Sequence, residues 1–168
     1  MRSTRTISFS LPEAVAASLS GAADEAGLSP GALAAEIVTD WLEQQALLPP
    51  DIMQDRKMKR ELTEKAIAHM WDEVRAAPFT GDITLKTFEA CMRDPDWMKA
   101  YAAYINDDAF ASGNPRKADI NRTIGRQIKA ALGAENALAS DGSEERGYPV
   151  NMIIRSYQQL ANPTRLTP

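Results

Sequence analysis

The stretch Thr4-Arg5-Thr6-Ile7-Ser8-Phe9-Ser10-Leu11 gives the most informative pattern of the chain, because polar and apolar side chains alternate along it. This is the period of a half-buried β-strand. No second strand pattern follows nearby, because the next residues carry helix patterns. A lone strand leaves its backbone N–H and C=O groups without partners, so we expect it to pair with the same strand of a second copy. The resulting two-stranded antiparallel ribbon would fit the major groove of DNA.

Two helix patterns follow this stretch. The first runs from about Pro12 to Ala26, and Gly27 is suited to end it in the left-handed conformation. Ser29 is a good N-cap for the second helix, with Pro30 at its first position. The second helix has a wider apolar face, formed by Leu33, Ile37, Val38, Trp41 and Leu42. Since Leu47-Leu48-Pro49-Pro50 then breaks the pattern, we expect a module over 1–48 and a mainly helical domain over 49–168.

The order of strand, helix, Gly27-Leu28-Ser29-Pro30 turn and helix resembles the ribbon-helix-helix family (Arc/MetJ type) of DNA-binding proteins. The resemblance covers about the first 45 residues. It implies a dimer whose core is formed by Ile7, Phe9, Leu11, Ile37, Val38, Trp41 and Leu42. It also implies that the outward face of the ribbon contacts DNA, through Arg2, Arg5, Thr6, Ser8 and Ser10. The family holds a phosphate at the start of its second helix, which here is formed by Ser29, Gly31 and Ala32.

The charge of the chain does not favour DNA binding. Its net charge is −4 and its pI is about 5.1, whereas DNA-binding domains are usually basic. Residues 1–55 contain two arginines against eight acidic residues. An alternative is therefore a module that serves for dimerisation, with DNA binding weak or lost.

Beyond residue 49 the chain is expected to be mainly helical. Helix patterns run over about 51–77 and 84–92, and two more begin at Asp94-Pro95 and Asn114-Pro115. The last of these ends at Gly133. A weak apolar segment at 137–139 and the strand candidate Val150-Asn151-Met152-Ile153-Ile154 then predict a small β-hairpin. Helix and hairpin together vaguely resemble a winged helix-turn-helix, with Arg146 near the wing.

The helix from 116 to 132 carries a basic face opposite an isoleucine-rich apolar stripe. Its cations are Arg116, Lys117, Arg122, Arg126 and Lys129, against the single acid Asp119. One interpretation is a second DNA contact; the other is a solvated face that balances acidic neighbours. A second basic run, Arg56-Lys57-Met58-Lys59-Arg60, could reach phosphates or could simply begin a soluble helix.

Several classes of site are disfavoured by composition. The one cysteine, Cys91, and the one histidine, His69, lie in amphipathic helix patterns and are more typical of a core than of catalysis. Together they cannot form a zinc site, and Cys91 cannot form an internal disulfide. Trp97, Tyr101 and Tyr104 have the spacing of core residues. No Gly-rich phosphate loop or signal-peptide core is present, and no apolar run is long enough to cross a bilayer.

The sequence therefore predicts a cytoplasmic, non-membrane protein that binds double-stranded DNA sequence-specifically as a homodimer or higher homo-oligomer. The favoured role is a bacterial or mobile-element transcriptional repressor. Alternatives are an accessory factor of plasmid transfer or partition, and an antitoxin-like interaction module. Neither an enzymatic activity nor a cofactor is expected.

Overall fold

The structure is a computed structural model that describes residues 5–168. The chain divides into unit 1, Met1–Pro49, and unit 2, Pro50–Pro168. Unit 1 contains α1 (Glu13–Ala26) and α2 (Pro30–Gln44). The helices of unit 2 are α3 (Pro50–Ala76), α4 (Ile83–Arg93), α5 (Pro95–Ile105) and α6 (Pro115–Leu132). Its strands are β1 (Glu135–Asn136), β2 (Arg146–Gly147), β3 (Tyr157–Gln158) and β4 (Leu160–Ala161).

The predicted N-terminal strand, and with it the ribbon-helix-helix fold, is wrong for this structure. Residues 5–12 form neither strand nor helix, and the first helix begins at Glu13. The alternating pattern fixes which side chains could share a face, but a strand exists only when its backbone groups bond to a neighbouring strand. Within residues 5–168, no segment supplies that neighbour to residues 5–12. Thr4 and Arg2 lie outside the described residues.

Local signals in unit 1 act as the sequence predicts. Gly27 adopts φ 63° and ψ 35° at the end of α1, the left-handed conformation that a Cβ would strain. The Ser29 hydroxyl accepts a hydrogen bond from the Ala32 backbone N–H at 3.2 Å and so caps α2. Among the described residues of unit 1, however, only Ala23 is buried.

Unit 2 has a continuous core around α3, which packs on α4, α5 and α6. Trp97 is fully buried, and its indole N–H donates to the Leu62 carbonyl at 3.0 Å. Tyr101 stacks on Trp97 with ring centroids 4.8 Å apart, which confirms the core assignment of these aromatic residues. The apolar stripe of α6 is fully buried, as predicted, at Ile120, Ile124, Ile128 and Leu132.

The two Asx-Pro caps of unit 2 are also confirmed. The Asp94 carboxylate accepts from the backbone N–H groups of Asp96 and Trp97 at 2.9 and 3.0 Å, which begins α5. The Asn114 side chain accepts from the Lys117 N–H at 3.1 Å and begins α6. Its amide also donates to the Ile105 carbonyl at 3.0 Å, so it ties the end of α5 to the start of α6.

The small β-structure differs from the predicted hairpin and its winged-helix resemblance. β1 pairs antiparallel with β4, and β2 with β3. An isolated bridge joins Leu138 to Glu144. The predicted strand at 150–154 is not formed, because this segment instead buries Ile153 and Ile154. The Asn121 amide on α6 donates to the Ile153 carbonyl at 3.2 Å, so the backbone there bonds to a helix side chain rather than to a strand.

Ile124→Ala should lower the free energy of unfolding of unit 2 by about 2–5 kcal/mol, because it leaves a cavity where α6 packs on the core. Urea unfolding followed by far-ultraviolet circular dichroism measures this. Gln127→Ala, on the exposed side of the same helix, is the matched control and should change the stability little. Equal effects of the two substitutions would contradict the placement of α6.

Candidate oligomerisation and nucleic-acid interface

The most unusual surface of unit 1 is an apolar stripe on α2. We define the α2 stripe as Ile37, Val38 and Trp41. Trp41 follows Ile37 by four residues and Val38 by three, so it lies on the same face of the helix as both. Their exposed fractions are 53%, 51% and 55%. Leu42, beside the stripe, is partly buried. Apolar side chains grouped in this way on a surface are typical of a protein-interaction site.

The segment before α1 adds further exposed apolar groups. Ile7 is 82% exposed and Phe9 is 61% exposed, and Leu11 is also exposed. These three residues are therefore exposed in the single chain, and their place in the core of a dimer stays a prediction. Of the residues predicted to contact DNA here, Arg5, Thr6, Ser8 and Ser10 are all exposed, and Arg2 lies outside the described residues.

The start of α2 has less capacity for a phosphate than the sequence suggests. Pro30 has no N–H, and the N–H of Ala32 already donates to the Ser29 hydroxyl. Gly31 is exposed, and a Cβ added there would meet nothing within 4 Å. Only the Gly31 N–H of the first turn could therefore face an anion without breaking the cap.

In unit 2, the first two cations of α6 are held by neighbouring groups. Arg116 forms an ion pair with Asp55 on α3, and its guanidinium lies 4.4 Å from the centre of the Tyr104 ring. The Lys117 ammonium donates to the Ala111 carbonyl at 2.8 Å. Burial lowers the pKa of Lys117, and the positive charge of Arg155 lowers it further. Arg155 was not singled out by sequence, since its neighbours carry no periodic pattern that would place it beside α6.

The remaining cations of the helix point elsewhere. Arg122 is exposed, and Arg126 and Lys129 are partly exposed. Arg146, predicted near a wing, lies in β2 with its guanidinium 3.5 Å from the Glu144 carboxylate. The five predicted cations of α6 thus fall into two groups. Arg116 and Lys117 lie on one side of the helix, and Arg122, Arg126 and Lys129 recur at intervals of four and three residues on another.

The cysteine and histidine are placed as core and near-core residues. Cys91 is fully buried, and burial, followed by the charge of Asp94, raises the pKa of its thiol to about 12. The His69 imidazole lies 3.3 Å from the Asp94 carboxylate, measured from Nε2 to Oδ2. Because the reactive form of cysteine is the thiolate, this thiol is poorly suited to nucleophilic chemistry.

Residues 5–168 include neither a candidate metal cluster nor a membrane-spanning helix. These residues contain no group of three or more His, Cys, Asp or Glu side chains that could hold a metal ion. Their helices also include none with the length and apolar character needed to cross a membrane.

Comparison with known proteins gives no relative. The chain matches no protein-family model, no curated protein and no solved structure.

Cys91 should not react with a thiol reagent such as Ellman's reagent at pH 8 while the protein is folded, because its thiol is buried and protonated. In denaturant one thiol per chain should react. Absorbance of the released thiolate measures both. Rapid labelling of the native protein would contradict the placement of Cys91 in the core.

Proposed function

We propose that this protein is a homodimeric, sequence-specific double-stranded-DNA-binding protein that acts in the cytoplasm, most simply as a transcriptional repressor. In this proposal unit 1 associates with its copy and reads the DNA. The observation that carries the proposal is the α2 stripe, whose three large apolar side chains are each more than half exposed.

The partner that best suits the α2 stripe is a second copy of unit 1. Unit 1 spans 49 residues, a length at which a single small core is marginal, and Ala23 is its only buried residue in the described part. Fully burying a side chain such as Ile or Val contributes about 1.5–3 kcal/mol. Covering the exposed half of each residue of the stripe would contribute about 1 kcal/mol per side chain in each copy. In a dimer with two-fold symmetry the stripes of both copies are buried, so each copy contributes the same stabilisation.

The exposed segment 5–11 supports a role in DNA contact. Thr6, Ser8 and Ser10 present hydroxyl groups that can donate to or accept from base edges. Arg5 adds the one described cation of this segment, which can reach a phosphate or a guanine. In a dimer these groups occur twice about the two-fold axis, so a site with two-fold symmetry is the expected target.

The independent core of unit 2 favours this proposal over an antitoxin-like module. Antitoxins of the kind considered from the sequence have a short C-terminal segment that orders on a partner. Unit 2 instead buries Trp97, Tyr101, Phe88 and the α6 stripe within one chain. It therefore has a core of its own without a partner.

Trp41→Glu should convert the protein to a monomer, because it places a charge in the middle of the α2 stripe, where association would desolvate it. Native mass spectrometry measures the fraction of dimer. Ala17→Glu adds the same charge to an exposed residue of α1 and should leave the dimer unchanged. A Trp41→Glu protein that remains dimeric at the same concentration as the wild type would contradict the proposed interface.

Ser8→Glu should abolish sequence-specific DNA binding and leave the dimer intact, because a carboxylate in place of the hydroxyl repels phosphate and cannot donate to a base. The test begins with selection of bound fragments from the organism's own genome, followed by fluorescence anisotropy on the selected fragment. Ser140→Glu, an exposed serine of unit 2, carries the same change and should bind as the wild type does. Full affinity of the Ser8→Glu protein would refute the role of this segment, and selection of no fragment would refute DNA binding.

A further inference from the structure

One residue of unit 2, Asp94, stands at the junction of two helices. Its backbone N–H donates to the Cys91 carbonyl at 3.1 Å, which closes α4. Its own carbonyl accepts from the Met98 N–H at 3.0 Å, which is the first backbone hydrogen bond of α5. The backbone of Asp94 therefore ends one helix and begins the next.

The side chain of Asp94 adds a third helix to this junction. One carboxylate oxygen, Oδ1, accepts from the backbone N–H groups of Asp96 and Trp97 at 2.9 and 3.0 Å, and so caps α5. The other oxygen, Oδ2, lies 3.3 Å from Nε2 of His69 on α3, and the side chains of Asp94 and His69 are only 27% and 26% exposed. A single carboxylate thus connects the start of α5 to the side of α3.

The first turn of α5 carries a central residue of the core. Trp97 lies three residues after Asp94, is fully buried, and donates from its indole N–H to the Leu62 carbonyl on α3. Its ring also stacks on Tyr101. Loosening the start of α5 would therefore disturb the packing between α5 and α3.

The charge of the Asp94 carboxylate decides how strongly it holds these partners. Hydrogen bonds from N–H groups to an ionised carboxylate are roughly twice as strong as those to a neutral acceptor. The Trp97 N–H lowers the pKa of Asp94 most, partial burial raises it, and the His69 side chain and the Asp96 N–H lower it further, so that the pKa lies below its ordinary value. A carboxyl whose pKa is lower in the folded than in the unfolded protein stabilises the fold at neutral pH. This stabilisation is lost as the pH falls through the folded pKa.

Other ionisable groups lie near this contact. Those within one turn of either residue along the chain are Lys65, Asp72, Glu73, Cys91, Arg93 and Asp96. Glu73 pairs with Arg93 at 3.4 Å, and Asp72 pairs with an arginine on its own helix. The Cys91 thiol stays uncharged in acid because its pKa is raised to about 12, and the remaining two side chains are exposed. None of these contacts joins α3 to α5, whereas the contact of Asp94 does.

We propose that His69 and Asp94 form an acid-sensitive latch, which ties the start of α5 to α3 while the carboxylate is ionised and opens when the carboxylate gains a proton from the solvent. The neutral carboxylic acid is a weaker acceptor for the two backbone N–H groups of α5 and no longer attracts the imidazole ring by its charge. The buried stripe of α6 does not involve this contact, so opening of the latch is a local event that precedes unfolding of the rest of unit 2. The latch is a conformational property of unit 2 and is independent of the proposed function.

Hydrogen exchange of the full chain, followed by NMR spectroscopy from about pH 7 to about pH 3, tests the latch. The measured quantity is the protection factor, which is the intrinsic exchange rate of an N–H group at each pH divided by its observed rate. For the backbone and indole N–H groups of Trp97 it should fall about 10-fold as Asp94 gains its proton, because two charge-assisted hydrogen bonds become neutral ones. The backbone N–H of Ile124 in α6 should keep its protection over the same range. An equal fall at Trp97 and Ile124 shows global unfolding and overturns the proposal.

Two substitutions of Asp94 remove the proton-binding group but keep a capping side chain. Asp94→Asn and Asp94→Ser each retain an oxygen that can accept from the N–H groups of α5, so their Trp97 protection should no longer change with pH. Asp96→Asn, which changes an exposed carboxylate two residues away, is the matched control and should retain the wild-type fall. A wild-type fall in either folded Asp94 variant overturns the proposal.

His69→Gln tests the second partner of the latch. It removes a side chain that lowers the pKa of Asp94, so the fall in Trp97 protection should begin at a higher pH than in the wild type. Lys65→Gln, which changes an exposed residue one turn earlier on α3, should leave the midpoint of the fall where it is. An unchanged midpoint in the His69→Gln protein means that the cap acts without His69, and it contradicts the latch.

Discussion

The structure of this protein depends on how little apolar surface unit 1 buries within its own chain. Unit 1 has well-formed helix caps but, in its described part, only one buried residue, whereas Ile37, Val38 and Trp41 expose more than half of their surface. Caps and turns fix the local backbone, and they contribute about 1 kcal/mol each. They cannot replace a core, because burial of apolar surface is the dominant favourable term in folding. In the dimer that we propose, the second copy covers this stripe with its own, by symmetry.

Unit 2 shows the opposite situation. Its core is closed within one chain by Trp97, Tyr101 and the stripe of α6, and the seam between α3 and α6 carries ion pairs rather than exposed apolar groups. The pairs of Lys59 with Asp119 and Arg116 with Asp55 are partly exposed, and such pairs contribute little stability. Their importance is geometric, since they bring two basic runs together. Unit 2 therefore buries its apolar side chains within one chain, whereas the described part of unit 1 leaves the α2 stripe exposed.

The sequence predicted the features that depend on neighbouring residues. Gly27, Ser29, Asp94, Asn114 and Gly133 mark helix ends because capping acts within one turn of the chain. Prediction from the sequence failed where the contacting residues are far apart in the chain. Residues 4–11 have the pattern of a strand, but pairing needs a second segment, and the pattern of 150–154 reflects burial beside α6 rather than pairing. Likewise, Arg116 and Lys117 resemble their basic neighbours in sequence. In the structure, however, Arg116 forms an ion pair with Asp55, and Lys117 donates a hydrogen bond to the Ala111 carbonyl.

The central claim is that unit 1 is complete only when two copies associate. Sedimentation equilibrium of the wild-type protein, over a dilution series from about 100 μM to 1 μM, tests it without any substitution; complexes with an interface of ordinary size dissociate in or below this range. The account predicts a mass of about twice the 18.4 kDa of one chain at the higher concentrations. A mass of one chain throughout the series, with α1 and α2 still helical, would contradict it.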